Sequence, residues 1–274
     1  MPKCKTIAIC NQKGGVGKTT TAVNLGVALA AQGQRVLLVD ADPQGDLTTC
    51  LGIDADNTKV TLTNKLIDEV REVKYDPLYG VIHHNEGVDL MPANMDLEPT
   101  ENYLVTAISR ESVMNNYLNR VKSMYDYILI DCRPSLGMLT LNALTAADSV
   151  IIPVQAQYLS AKAMTQLVQT VRRVQSHTNK DLKIDGILLT IVDSRTNLAR
   201  STVDAIKTNF GKYLRIYNTQ IPIAVKAAEV ASKGKSIFAY EPHSKAAIAY
   251  ADFAKEVLSD AQRTQERFYS ADAR

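Results

Sequence analysis

Thr6-Ile7-Ala8-Ile9-Cys10 leads into Asn11-Gln12-Lys13-Gly14-Gly15-Val16-Gly17-Lys18-Thr19-Thr20. The first five residues suit a short buried parallel strand, and the glycine-rich run after them has the punctuation of a loop. From Thr19 to Gln32 apolar residues recur at helical spacing, and Gly33 is a natural helix stop. Val36-Leu37-Leu38-Val39 then reads as a second buried strand that delivers Asp40 and Asp42 at its C-terminal end. Together these form one β-α-β unit whose loop and acids gather where open α/β sheets place their ligands.

The same alternation continues downstream. Strands are expected at Tyr127-Ile128-Leu129-Ile130, ending on Asp131, at Ser149-Val150-Ile151-Ile152 before Pro153, at Ile184 to Val192 and at Arg215 to Ile221. Helices are expected over Ala161 to Gln175, Ser201 to Asn209 and Ser244 to Arg267. Asp54 to Tyr125 is less regular, with a strand at Val88 to Met91 and a helix around Ser112 to Ser123. The fold class this implies is α/β, a doubly wound, mostly parallel sheet with helices on both faces. A single domain over residues 1–267 and a flexible tail at 268–274 are expected.

The chain has 274 residues, 46% hydrophobic and 22% charged, which excludes collagenous, coiled-coil and wholly disordered classes. Lys and Arg number 31 against 29 Asp and Glu, so any nucleic-acid binding must come from a local patch. Cys4, Cys10, Cys50 and Cys132 never form a C-x-x-C pair, so a reduced cytoplasmic setting is expected, with neither a zinc site nor a disulfide framework. His83-His84 lacks companion ligands at metal spacing and reads as loop. No run approaches the roughly 18 apolar residues of a membrane span.

Clustered phosphate charge calls for inward-pointing backbone N–H groups, a helix N-terminus, a fixed ammonium and a divalent ion. Residues 14–20 can supply these: the glycines let the backbone curl, Lys18 can reach the β and γ phosphates, and the Thr19 hydroxyl can ligate Mg²⁺. The usual G-x-x-x-x-G-K-[ST] pattern fails at its first position, which is Gln12, and a second lysine, Lys13, stands inside the loop.

Asn11 to Thr20 thus resembles the deviant phosphate loop (deviant Walker A) of the ParA/MinD ATPases, specifically the small ParA or Soj-like branch of these P-loop NTPases. Leu38-Val39-Asp40-Ala41-Asp42-Pro43-Gln44-Gly45, Asp131-Cys132-Arg133-Pro134-Ser135-Leu136-Gly137, Asp193-Ser194-Arg195-Thr196-Asn197 and Ile221-Pro222 extend the resemblance across nearly the whole chain.

The resemblance implies a DNA partition ATPase that uses ATP and Mg²⁺, forms a homodimer around the nucleotides, binds double-stranded DNA non-specifically and is stimulated by a ParB-type partner. Its binding residues would be Lys13, Gly14, Gly15, Val16, Gly17, Lys18, Thr19, Thr20 and Pro222. Lys13 would act across the dimer on the other subunit's phosphates, and Asp42 would orient or polarise the attacking water. Thr19, Asp40 and Asp131 would serve the metal, with Asp40 holding either the Mg²⁺ shell or the loop. DNA contacts would fall on Arg195 and Lys226, with Lys233, Lys235 and Lys245 nearby in sequence.

No helix-turn-helix precedes the loop, so sequence-specific operator binding is not expected. Arg133 stands where many relatives have proline and reads as an exposed side chain, while Ile223-Ala224 replace the Arg-Asn common after the proline. A MinD-like membrane ATPase and a metabolic enzyme of the same fold are the rival readings. Against the first, Ile248, Phe253, Val257 and Leu258 are expected to pack on the sheet, and no stable membrane association follows. Against an iron–sulfur reductase, no second cysteine is placed like Cys132.

Overall fold

The computed structural model describes residues 4–156, 161–223 and 233–272, the side chains of 161–163 and 262–272 excepted. Its elements are β1 (Lys5–Ile9), α1 (Lys18–Ala31), β2 (Val36–Ala41), α2 (Asp46–Cys50), α3 (Leu62–Val70), β3 (Ile82–His83), β4 (Asp89–Met91), α4 (Leu97–Val105), α5 (Val113–Val121), β5 (Tyr127–Cys132), α6 (Met138–Ala146), β6 (Ser149–Gln155), α7 (Ala161–His177), β7 (Lys183–Val192), α8 (Asn197–Phe210), β8 (Ile216–Pro222), α9 (Ile237–Tyr240) and α10 (Lys245–Asp272). They form one eight-stranded sheet in the order β3-β4-β2-β5-β1-β6-β7-β8. Every neighbouring pair is parallel except β3 with β4.

Alternate residues of each strand feed opposite faces, as the two-residue period of a strand requires. Ile7, Ile9, Leu38 and Leu129 pack with Leu25 and Leu29 of α1 and Phe253 and Val257 of α10. Ala8, Cys10, Leu37 and Ile130 pack with Leu66, Tyr117, Leu139 and Val171 from α3, α5, α6 and α7. Both faces are therefore covered, which is why the strand sequences read as continuous apolar runs. On α10, Phe253 and Val257 are buried as expected, whereas Ile248 is 55% exposed and departs from that expectation. This helix runs to Asp272, into the stretch read above as a tail.

The insertion of β5 between β1 and β2 sets the geometry of the site. In register, Asp131 lies beside Ile9 on one side and Asp40 on the other, so both acids and the loop after β1 emerge together. One residue further, Cys10 and Cys132 follow these paired strand ends and are both buried, with the Cys132 thiol donating to the Ile130 carbonyl. Strand order, not chain distance, brings these two cysteines to the ends of adjacent strands. At the far side of α2, Gly52 and Gly234 approach so closely that a Cβ on Gly234 would lie 2.4 Å from the Gly52 Cα.

Candidate functional site

Gly15 and Gly17 adopt φ of 70° and 82°, a region side chains disfavour, and this lets the chain curl from β1 into α1. Helix α1 starts at Lys18 with no acidic residue in its first turn and no side-chain cap. Its first N–H groups and positive dipole end are thus open to an anion. The loop is braced from outside: Asn11 Nδ2 donates to the Pro153 carbonyl (2.7 Å) and its Oδ1 accepts from the Lys13 N–H (3.0 Å), while the Thr190 hydroxyl donates to the Val16 carbonyl (2.7 Å). Sequence reasoning assigned no role to Asn11 or Thr190; the first lay within the quoted motif, and the second was hidden by 174 residues of separation.

The two lysines are placed differently. Lys18, 7% exposed, lies in the loop with Nζ 3.3 Å from the Lys13 carbonyl oxygen, whereas Lys13 Nζ donates to Gln155 Oε1 at 3.3 Å, at the end of β6. Thr19 Oγ1 donates to Asp131 Oδ2 at 2.6 Å. The other oxygen of this carboxylate, Oδ1, is buried without a hydrogen-bond partner. A hydroxyl beside a buried carboxylate with an unused oxygen is a hard-cation donor set, so the residues fit Mg²⁺.

Asp40 is differently occupied: Oδ2 accepts from the Thr48 N–H (2.9 Å) and hydroxyl (2.7 Å), and Oδ1 from the Asp42 N–H (3.2 Å). These are the contacts of a loop anchor. Burial nevertheless outweighs the three donors and pushes its pKa up to about 7. The Asp131 carboxyl is pushed well up by burial and then by the neighbouring Asp40, against the Thr19 hydroxyl and the Lys18 charge. Two buried acids side by side disfavour double ionisation, a conflict that a cation relieves. Asp42 is half-buried, with Oδ1 accepting from the Gln44 N–H; burial raises its pKa, and the Arg133 and Lys18 charges oppose the rise.

A family model described as an AAA domain matches residues 4–184. Over 258 residues the chain is 48% identical to the sporulation initiation inhibitor protein Soj of Bacillus subtilis, covering 93% of this chain and 99% of that one. The chain belongs to the ParA/Soj family. It is also 40% identical over 257 residues to the chromosome partitioning protein ParA of Caulobacter vibrioides, covering 93% and 94% of the two chains. A crystal structure of cobyrinic acid a,c-diamide synthase from Mycobacterium smegmatis with bound ADP and magnesium superposes with a TM-score of 0.81 at 39% identity, covering 93% and 94%.

Other residues singled out by the ParA/Soj resemblance lie further from the loop. Pro222 ends β8 and, with Val192, Ser194, Lys245 and Asp252, lines a groove of about 360 Å³. Arg195 stands on the exposed loop between β7 and α8, already paired with Asp193. Lys226 lies outside the described residues. Arg133 is not the exposed side chain expected: its guanidinium is four-fifths buried between Glu101 (2.5 Å) and Glu98 (3.1 Å) of α4. Glu101 also accepts from the Leu139 N–H at the start of α6, so this ion pair ties α4 to the loop after Asp131.

Proposed function

We propose that this ParA/Soj family member is a DNA partition ATPase that binds ATP with Mg²⁺, pairs with a second copy around the nucleotides, and on pairing binds double-stranded DNA without sequence preference. The observation that carries this reading is the different placement of two lysines in one loop. Lys18 sits inside its own phosphate cradle, while Lys13 is turned toward Gln155 at the end of β6. A second cation in the same loop, held apart from Lys18, supports a role on a facing subunit's phosphates, which would tie hydrolysis to dimerisation.

In this reading the N–H groups of residues 14–20 and Lys18 hold the triphosphate, and Thr19 and Asp131 hold Mg²⁺. The ion supplies charge neutralisation at the β and γ phosphate oxygens. Asp42 orients the attacking water, Asp40 fixes the Asp42 loop through Thr48, and Pro222 bounds the base. Arg195 and Lys226 contact the DNA backbone, and a ParB-type partner speeds hydrolysis and so ends DNA binding. The working place is the cytoplasm, on the nucleoid when ATP is bound.

A MinD-like membrane role is less well supported, since Phe253 and Val257 of α10 are spent on the core. A synthetase role is suggested by the name of the Mycobacterium smegmatis protein; the higher identity to Soj favours partition. DNA binding measured with ATP, with ADP and without nucleotide tests the proposal: ATP-dependent binding supports it, and ATP-independent or absent binding overturns it.

A further inference from the structure

The Arg195 guanidinium does not stand alone on its loop. Its Nε lies 2.8 Å from Asp193 Oδ1 and its Nη2 3.0 Å from Asp193 Oδ2, and its backbone N–H donates to Oδ1 at 3.2 Å. Two parallel N–H groups aimed at two carboxylate oxygens are the same fork an arginine offers to a phosphate. The arginine side chain is 84% exposed and the aspartate 18%, so the aspartate is the fixed member and the arginine the movable one. Each holds the other further in its charged form: the Asp193 carboxyl is lowered and the Arg195 guanidinium raised by their hydrogen bond.

The base of this loop is anchored. The Thr196 hydroxyl donates to the Asp193 carbonyl and also caps α8 through the Ala199 N–H, while Arg200 Nε donates to the Ser194 carbonyl. Just upstream, β7 carries one extra residue against β8 between Leu189 and Val192. Ile191 in this bulge has φ 54°, a strained conformation for a β-branched residue, and bulges of this kind re-aim the side chains beyond them. The bulge includes Thr190, which touches the phosphate loop, and precedes Asp193.

We infer that Asp193 is an intramolecular lock on Arg195, occupying the fork that would otherwise grip a DNA phosphate. The inference rests on the proposed DNA-binding role and adds its regulation: each arginine must exchange a carboxylate for a phosphate to engage the duplex. The exchange leaves a signature in salt. An unpaired arginine that binds a phosphate releases about one cation from the DNA. A locked arginine frees Asp193 in the same step, and the negative charge of that carboxylate beside the duplex offsets the neutralisation of the phosphate.

The test is a two-by-two set: wild type, Asp193→Asn, Arg195→Gln and the double variant. Asparagine keeps the Oδ1 acceptor for the Arg195 N–H, so the turn is preserved. Binding to two unrelated mixed-sequence duplexes is measured over a KCl series with ATP and Mg²⁺, with ATP affinity by equilibrium dialysis as the check on folding. An exposed, solvent-screened pair is worth little, so Asp193→Asn should tighten DNA binding by only about two- to five-fold per protomer. It should also steepen the salt slope by about one unit per protomer. Both gains should vanish in the Arg195→Gln background. An equal gain with and without Arg195 means that Asp193 merely repels phosphate, and no gain at all means no lock; either overturns the inference. Wild-type affinity and slope in Arg195→Gln would instead remove Arg195 from the DNA contacts, so failure of the underlying reading is told apart from failure of the lock.

Discussion

Thr19 Oγ1 reaches Asp131 Oδ2 across 112 residues of sequence at 2.6 Å, and Asp131 Oδ1 beside it is buried with no partner. The arrangement joins the first turn of α1 to the end of β5 and leaves one oxygen committed to nothing within the described residues. Asp131→Ala should remove the Mg²⁺ dependence of nucleotide binding: titration calorimetry with ADP, with and without Mg²⁺, should show a metal-induced gain of about tenfold or more in wild type and none in the variant. A gain of the same size in both would take Asp131 out of the metal site.

Asp40 is raised from its ordinary 3.8 to about 7 by burial, so the folded protein holds this proton more tightly than the unfolded chain does. The sign follows from linkage: the contribution is fully present below the unfolded value and is lost as pH rises through about 7. Without metal, the midpoint of thermal unfolding should therefore fall by a few degrees between about pH 5 and pH 8. The fall should be smaller in Asp40→Asn, and melts across that range check it.

The two lysines should separate in mutation. Lys18→Ala should lose nucleotide binding, whereas Lys13→Ala should bind ATP with near-wild-type affinity and hydrolyse it about a hundredfold more slowly or worse. Light scattering with ATP and single-turnover hydrolysis measure both effects. An ATP-dependent dimer with full activity in Lys13→Ala would remove the trans role.

Thr190→Val keeps the side-chain shape and deletes the hydroxyl that donates to the Val16 carbonyl at 2.7 Å. Stability should drop by about 1–2 kcal/mol, because a buried carbonyl loses its donor. Nucleotide affinity should fall severalfold as the loop slackens. Denaturant melts and dialysis report the two effects independently, and an unchanged affinity would show that the brace serves the fold alone.

Gly234→Ala places a methyl group 2.4 Å from the Gly52 Cα at a φ of 63°, so neither backbone can accommodate it in place. A loss of about 1–3 kcal/mol is expected in urea unfolding. The same substitution at Gly33, where a Cβ meets nothing within 4 Å, should cost less and arise from φ alone.

The parts of this molecule readable in sequence are those whose causes are local. The run from Thr6 to Asp42 announced its strands, loop and helix to within a residue or so, because apolar period, glycine and helix stop all sit within a few residues of what they control. Strand order was not readable: β5 enters between β1 and β2 by a crossover, and only that insertion makes Asp131 a neighbour of Asp40 and Cys132 a neighbour of Cys10. The α4 helix escaped notice, and with it the partners of Arg133, since Glu98 and Glu101 lie more than thirty residues away in a stretch of weak periodicity. Asp193 lies in a recognisable motif, yet its hold on Arg195 depends on the turn geometry that the residue pattern alone does not state.

The braces on the phosphate loop bear on how the protein tells one nucleotide from another. Asn11 and Thr190 hold residues 11–17 in shape through contacts to Pro153 and Val16 that involve no ligand. These contacts are the same whichever nucleotide enters, so they do not by themselves tell a diphosphate from a triphosphate. Discrimination then shifts to whatever reaches the terminal phosphate from beyond the phosphate loop, and in the proposed function that is the Asp42 loop and the Lys13 of a facing copy. Under that proposal the nucleotide pocket works as a receptacle first and as a clock only in company.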